Sequence, residues 1–127
     1  GRQGDVDTAR TVLKTASGRL CVISNTRRSG YGYDQRIEAF GSAGMLAAGN
    51  VADDTVHTLT EAGALSAPIR PGFAMRYAAA YRAQLDHYAE VAHGRVPSSV
   101  GYADGLAALA LAEACGESAR NGRAIRP

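Results

Sequence analysis

The sequence predicts an α+β domain, with an antiparallel meandering β-sheet followed by two C-terminal helices that pack on one face of the sheet. Short β-branched and apolar runs separated by turn residues fill the first half of the chain. Large apolar residues recur every three or four positions in the second half, which is the spacing of a helix stripe. Pro68 and Pro71 separate the two halves. We expect the remaining face of the sheet to be an interface with another subunit.

The first two strands are predicted over residues 8–15 and 20–26. The tripeptide Ser17-Gly18-Arg19 supplies the turn of an antiparallel hairpin. In the second strand, Leu20 to Ile23 are all apolar, although neighbouring side chains point to opposite faces of a strand. A strand that is apolar on both faces favours a sheet covered by another subunit on the side away from the helices.

Three further strands are predicted over residues 34–41, 45–48 and 55–61. The first alternates charged and apolar side chains, and Ser42-Ala43-Gly44 forms the turn after it. The sequence of strand, turn and strand indicates an antiparallel meander.

The first predicted helix spans residues 73–93, and the second spans residues 102–121. The stripe of the first helix consists of Phe73, Tyr77, Tyr81, Leu85, Tyr88 and Ala92. Gly94 and Gly122 are typical residues at the end of a helix. Asp104 lies in the first turn of the second helix, where a carboxylate is favourable.

Length and composition indicate one domain over residues 1–127. The formal net charge is +2 and 46% of the residues are apolar. Basic and acidic residues are spread evenly, so we expect no nucleic-acid partner and no membrane partner. Cys21 and Cys115 are expected to be buried free thiols in a reducing, cytoplasmic compartment. The three histidines have no metal-ligand spacing with cysteines or carboxylates.

One polar segment, residues 27–36, has the composition of a binding loop. Its sequence RRSGYGYDQR combines three arginines, two tyrosines, an aspartate and a glutamine with two glycines. Phenol and guanidinium groups donate hydrogen bonds, and a tyrosine ring can lie against the C–H face of a polyhydroxylated substrate. The alternative is a polar loop at a strand end whose tyrosines pack at the edge of the sheet.

The same residues resemble a known family. The stretches SGRLCVISNTRR and YGYDQRIEAFGSAGML resemble the C-terminal domain of inositol 2-dehydrogenases, in the glucose-fructose oxidoreductase, inositol dehydrogenase and rhizopine catabolism family. Later in the chain, Arg76-Tyr77, Ala80-Tyr81, Gly94, Pro97, Asp104-Gly105 and ALALAEA resemble the closing helices of the family. The resemblance covers nearly the whole chain, and YGYDQR is the part that indicates the inositol subfamily.

The resemblance implies a bacterial NAD(P)-dependent oxidoreductase of inositol catabolism, of which this chain is the C-terminal part. NAD or NADP would bind to an N-terminal Rossmann domain that lies outside the chain. The Glu-Lys-Pro motif that carries the catalytic lysine in the family does not occur here, and Lys14 lies in Leu-Lys-Thr. We therefore expect no catalytic or cofactor-binding residue in these 127 residues, and no turnover by them alone.

The resemblance also implies a polyol substrate such as myo-inositol, and substrate-binding residues on the polar segment. Tyr33 is the first candidate, Tyr31 the second, and Arg28 either adds a hydrogen bond or pairs with an acidic neighbour. The family's sheet implies a homodimer or homotetramer. The alternative function is a non-catalytic, stand-alone α+β binding or dimerisation module.

Overall fold

The computed structural model describes residues 6–127. The strands are Thr8–Lys14 (β1), Leu20–Thr26 (β2), Ile37–Gly41 (β3), Gly44–Ala48 (β4), His57–Thr60 (β5) and Gly63–Ser66 (β6). The helices are Phe73–Arg76 (α1), Ala78–Ala92 (α2) and Tyr102–Asn121 (α3). The predicted α+β class is confirmed. Within residues 6–127 the strands pair in chain order as three separate two-stranded sheets, rather than as the single meandering sheet that we predicted.

The β1–β2 hairpin forms where the sequence predicted it. Gly18 has φ +86°, a conformation that glycine adopts without steric cost. The Thr15 N–H donates to the Arg19 carbonyl across the turn at 2.9 Å. At the open end, the Thr8 and Thr26 hydroxyls lie 3.1 Å apart.

The β3–β4 hairpin is antiparallel, with Ala39 opposite Leu46 and Phe40 opposite Met45. Strand β3 begins at Ile37 and not at residue 34, because residues 34–36 form hydrogen bonds outside the ladder. The β5–β6 hairpin pairs Leu59 with Ala64. Strand β6 was not predicted because it is only four residues long, too short to display an alternating pattern.

The predicted helix over residues 73–93 is divided at Tyr77, whose backbone has φ −109° and ψ 14°. The helical hydrogen bonds nevertheless continue through this residue. The Tyr77 N–H donates to the Phe73 carbonyl at 2.8 Å, and the Tyr81 N–H donates to the Tyr77 carbonyl at 2.9 Å. The departure from helical geometry is therefore confined to Tyr77.

Helix α3 has the predicted bounds. At its start, the Gly101 N–H donates to the Asp104 carboxylate at 2.7 Å. At its end, Gly122 has φ 63° and donates its N–H to the Ser118 carbonyl at 2.9 Å. Local capping chemistry thus fixes both ends of this helix.

Large apolar side chains on the hairpins are exposed. Phe40 is 89% exposed, and Leu46 on the opposite face is 78% exposed. None of the residues in the range 6–127 is buried. The predicted burial of Cys21 is wrong, since this residue is exposed, whereas Cys115 is half-buried. Every position of strand β2 is exposed, so its run of apolar residues does not place Cys21 in a core.

The chain divides into two compact units. One consists of the described residues up to Ala9 together with Ser24–Arg82, and the other consists of Arg10–Ile23 and Ala83–Pro127. The polar segment lies in the first unit. Packing of the C-terminal helices on the sheet stays a prediction. Over the described range 6–127, no helix is both long enough and apolar enough to cross a membrane.

Candidate functional site

The polar segment is organised around the carboxylate of Asp34. Arg36 donates to both carboxylate oxygens, from Nε to Oδ1 and from Nη2 to Oδ2, each at 2.9 Å. The Tyr31 hydroxyl donates to Oδ2 at 2.5 Å. The Asp34 side chain is only 15% exposed, although that of Arg36 is 67% exposed. A short loop thus closes on its own carboxylate through a two-point guanidinium contact.

Asn50 holds the same carboxylate from the far end of the β3–β4 hairpin. Its side-chain N–H donates to Asp34 Oδ1 at 2.7 Å, and its side-chain oxygen accepts the Gln35 N–H at 2.8 Å. One amide therefore binds two successive residues of the polar segment.

The electrostatic consequence is a carboxylate that stays ionised. The hydrogen bond from Arg36, then those from Tyr31 and Asn50, hold the pKa of Asp34 far below its usual range. The same pair raises the pKa of Arg36. Because an ionised carboxylate can only accept, each of its partners must be the donor.

Tyr33 lies in an aromatic cluster with residues of the α1–α2 region. Its ring meets that of Tyr77 edge-on, with centroids 5.8 Å apart, and that of Phe73 at 6.4 Å. Tyr77 in turn contacts Tyr81 at 6.4 Å. Partial removal of the Tyr77 hydroxyl from water raises its pKa, and a hydrogen-bonding interaction with Tyr33 raises it further. Edge-on aromatic contacts of this kind fix ring orientation.

Arg70 holds the backbone of Tyr33 by a hydrogen bond. Its carbonyl accepts the Tyr33 N–H at 2.9 Å, and its own N–H donates to the Val51 carbonyl at 3.1 Å. Its guanidinium reaches Asp53 at 3.3 Å and the Met75 carbonyl at 3.2 Å. Arg70 therefore joins the polar segment, the loop after β4 and the end of α1.

Gly32, between the two tyrosines, is required by conformation and by space. Its φ is +125°, and a Cβ built there would lie 2.5 Å from Cγ1 of Ile69 and 2.8 Å from the Ile69 carbonyl oxygen. A side chain would separate the polar segment from the strand-like residues around Ile69, which bridge to Ala52.

Three polar atoms near this network are enclosed without a hydrogen-bond partner among the described residues: Ser29 Oγ, Gln35 Oε1 and Arg76 Nε. Leaving such an atom unpaired costs about 1–3 kcal/mol. Enclosed polar atoms without a hydrogen-bond partner concentrate at functional or strained sites.

The predicted site residues occupy different surroundings. Tyr31 is 64% exposed and bonded to Asp34, whereas Tyr33 is half-buried in the aromatic cluster. Arg28 forms an ion pair with Asp7 at 3.3 Å, and its side chain is 81% exposed. The pairing with an acidic neighbour, one of the two roles expected for Arg28, is the contact observed.

Sequence reasoning missed the residues that support the two tyrosines. These are Asp34 and Asn50 around Tyr31, and Arg70 and Tyr77 around Tyr33. Asp34 lies within the polar segment, so its position was a usable signal. Asn50 lies 16 residues beyond Asp34, and Arg70 lies 37 residues beyond Tyr33. Only the fold brings each of them to its partner.

Neither a metal site nor a dinucleotide cradle occurs among residues 6–127. No group of three or more His, Cys, Asp or Glu side chains in this range could hold a metal ion. Gly30-Tyr31-Gly32-Tyr33 leads into strand β3 and not into a helix, so it lacks the geometry that receives a pyrophosphate. A cavity of about 810 Å³ at the end of α3 contains none of the predicted site residues.

Comparison with known proteins gives one consistent result. Residues 1–126 match the family model described as "Oxidoreductase family, C-terminal alpha/beta domain". The chain is 39% identical over 125 residues to an inositol 2-dehydrogenase of Rhizobium meliloti, covering 98% of this chain and 38% of that protein. It is 40% identical over 126 residues to a myo-inositol 2-dehydrogenase of Thermotoga maritima, covering 99% and 38%.

The solved structures agree. A probable dehydrogenase from Thermotoga maritima superposes with a TM-score of 0.91 and 41% identity, covering 96% of this chain and 37% of that one. A myo-inositol dehydrogenase from Corynebacterium glutamicum superposes with a TM-score of 0.90 and 42% identity, covering 99% and 39%. The chain therefore spans well under half the length of the relatives it matches.

Proposed function

Because this chain belongs to the oxidoreductase family whose C-terminal alpha/beta domain it matches, we propose that it is the substrate-binding and oligomerisation domain of an NAD(P)-dependent inositol dehydrogenase, or of a dehydrogenase for a related polyol or sugar. The similarity to inositol 2-dehydrogenases over 98% and 99% of the chain supports this substrate class. In this proposal, NAD or NADP binds to a Rossmann domain in the part of the enzyme that these residues do not cover.

The single observation that supports the proposal best is the arrangement of the polar segment. Two phenols, Tyr31 and Tyr33, lie on one short loop that hydrogen bonds with Asn50 and Arg70, from two other parts of the chain, hold in place. A loop that is fixed before the substrate arrives loses little entropy on binding. Phenols also suit a polyol, because each can exchange a hydrogen bond with a hydroxyl.

When bound in the intact enzyme, a nicotinamide cofactor would supply the hydride-transfer chemistry at a ring carbinol carbon. The residues of this chain bind and orient the polyol. Tyr33 is the first candidate to contact it, since its ring is fixed by Phe73 and Tyr77. Tyr31 is the second, and Arg28 is a third that would have to leave its ion pair with Asp7.

We also propose that the exposed hairpin faces bind a second copy of this chain, forming a homodimer or homotetramer. The hairpin β3–β4 is apolar on one face through Ile37, Ala39, Leu46 and Ala48. The other face carries Phe40 and Met45, which are 89% and 55% exposed. Each exposed apolar side chain that such contacts cover contributes about 1.5–3 kcal/mol.

The alternative is a non-catalytic binding or dimerisation module. Membership of the oxidoreductase family favours the enzyme. We nevertheless expect the 127 residues alone to give no NAD-dependent oxidation of myo-inositol. A cytoplasmic location is part of the proposal, and the unpaired thiols of Cys21 and Cys115 support it.

The test is Tyr33→Phe in the full-length enzyme, assayed with myo-inositol and NAD. We expect kcat/KM for the polyol to fall about five- to hundredfold, because removing the hydroxyl leaves a substrate group unpaired at about 1–3 kcal/mol. The KM for NAD should stay nearly constant.

Tyr31→Phe is compared at the same time, and Tyr102→Phe is the matched control. Tyr102 is 83% exposed at the start of α3, outside the polar segment. If Tyr33→Phe and Tyr31→Phe both keep wild-type kinetics and lose only thermal stability, the polar segment is structural and the substrate-binding proposal fails.

A further inference from the structure

The hydrogen bonds at Asp34 determine where the phenolic proton of Tyr31 points. Oδ2 of Asp34 is 2.5 Å from the Tyr31 oxygen, and this carboxylate also receives three N–H donors from Arg36 and Asn50. A carboxylate in that setting is an acceptor only, so Tyr31 must be the donor. The Tyr31 proton is therefore used within the protein, and only its oxygen lone pairs remain for a ligand.

We propose that Asp34 is a positioning residue of the polyol site: it accepts the hydrogen bond of the Tyr31 hydroxyl, holds the ring in one orientation and leaves the Tyr31 oxygen to accept a hydrogen bond from a substrate hydroxyl. This inference rests on the proposed function and specifies which partner donates in the hydrogen bond between Tyr31 and the substrate. The substrate hydroxyl that meets Tyr31 has to be a donor.

Exposure agrees with this division of roles. Tyr31 is 64% exposed, so a ligand can reach its oxygen, whereas the Asp34 side chain is 15% exposed and engaged by its neighbours. Asp34 thus acts through Tyr31. Each oxygen of its carboxylate already accepts two hydrogen bonds, which leaves no lone pair for direct contact with a polyol.

Asn50 makes the arrangement specific for a carboxylate at position 34. It donates to Oδ1 while Arg36 donates to both oxygens, so every neighbour on that side is a donor. In an Asp34→Asn variant, an amide oxygen placed to accept from Tyr31 turns the amide N–H₂ group toward Arg36 and Asn50. The amide N–H₂ group would then face the N–H donors of Arg36 and Asn50, so the variant cannot form hydrogen bonds with Tyr31 and with these neighbours at the same time.

The experiment is a double-mutant cycle of Asp34→Asn and Tyr31→Phe in the full-length enzyme, with kcat and KM for myo-inositol and KM for NAD as readouts. We expect Asp34→Asn to raise the KM for myo-inositol about three- to tenfold with kcat nearly unchanged. The double variant should be no worse than Tyr31→Phe alone, because Asp34 acts through the Tyr31 hydroxyl.

A matched control is Glu90→Gln. It removes a carboxylate that accepts from Arg95 at 2.7 Å, outside the site, and should leave both KM values unchanged. If Asp34→Asn does not fold, Asn50→Ala replaces it in the cycle. That change removes one donor to Asp34 and leaves the carboxylate in place.

Each outcome decides the proposal. Coupling between the two positions, with a normal KM for NAD, supports it. Additive effects on kcat/KM overturn it, because a merely structural residue would add its cost to that of Tyr31→Phe. If Tyr33→Phe impairs the enzyme while Tyr31→Phe does not, the role of Asp34 is refuted and the proposed function stands. If neither tyrosine variant affects the kinetics, the proposed function itself fails.

Discussion

The polar segment and the β3–β4 hairpin are neighbours in the chain but differ in composition and in how far their side chains are satisfied. The polar segment is rich in charged and polar groups, and hydrogen bonds within the chain engage several of them: Arg36 and Asn50 donate to Asp34, and the Arg70 carbonyl accepts the Tyr33 N–H. The hairpin is rich in apolar groups and leaves them uncovered, with Phe40 89% exposed. The polar groups of one region find partners within the chain, whereas the apolar side chains of the other face water.

The difference shows which physical force each region relies on. Hydrogen bonds and ion pairs are directional and can close within ten residues when turns bring the groups together. Hydrophobic stabilisation scales with the apolar area removed from water and needs a second surface. The interactions of the polar segment therefore form within the chain, whereas the apolar side chains of the hairpin are stabilised only by a surface that covers them.

The largest expected effect concerns the uncovered hairpin. In the full-length enzyme, Phe40→Asp should weaken assembly at least about a hundredfold, because burying an unpaired carboxylate at an apolar contact costs several kcal/mol. Sedimentation velocity over a range of concentrations measures the shift. Phe40→Leu is the control, since it stays apolar and should assemble like the wild type. Normal association of the Phe40→Asp variant would show that this face is not the interface.

A second prediction tests the closed loop. Gly32→Ala should lower the free energy of unfolding by about 3 kcal/mol, because an unfavourable φ and a collision with the Ile69 backbone both oppose the side chain. Gly30→Ala meets nothing within 4 Å and should change stability by less than about 1 kcal/mol. Denaturant unfolding of both full-length variants makes the comparison. Equal losses at the two positions would mean that the loop is not held as described.

The smallest expected effect is a pH dependence at Asp34. Because its folded-state pKa lies below the ordinary value of 3.8, its stabilising contribution is fully present above that value and is lost as pH falls through the lower folded-state pKa. The stability gap between wild type and Asp34→Asn should stay constant from about pH 8 to pH 5 and narrow only in stronger acid. Denaturant melts across this range measure it. A gap that already closes near pH 6 would contradict an ionised, hydrogen-bonded carboxylate.

Predictions from the sequence succeeded where the interactions involved are local. The bounds of β2 and α3 were predicted correctly because a turn glycine, a capping Asp104 and a terminal Gly122 act within a few residues. The break at Tyr77 was missed because apolar spacing is the same in a straight helix and a distorted one. Cys21 was expected to be buried because its apolar neighbours suggested a core, and coverage of a strand face is not encoded locally.

The sequence by itself determined the α+β class, most element positions and the family resemblance, and it singled out residues 27–36 as a polar segment; their role in binding stays a prediction. These follow from periodicity, turn chemistry and local composition, which a linear chain displays directly. Only the tertiary structure decided that Asn50 reaches Asp34, that Arg70 anchors Tyr33, and that the Tyr31 hydroxyl donates to Asp34. The first two contacts join residues far apart in the chain, and the geometry of all three depends on distances that no residue order specifies.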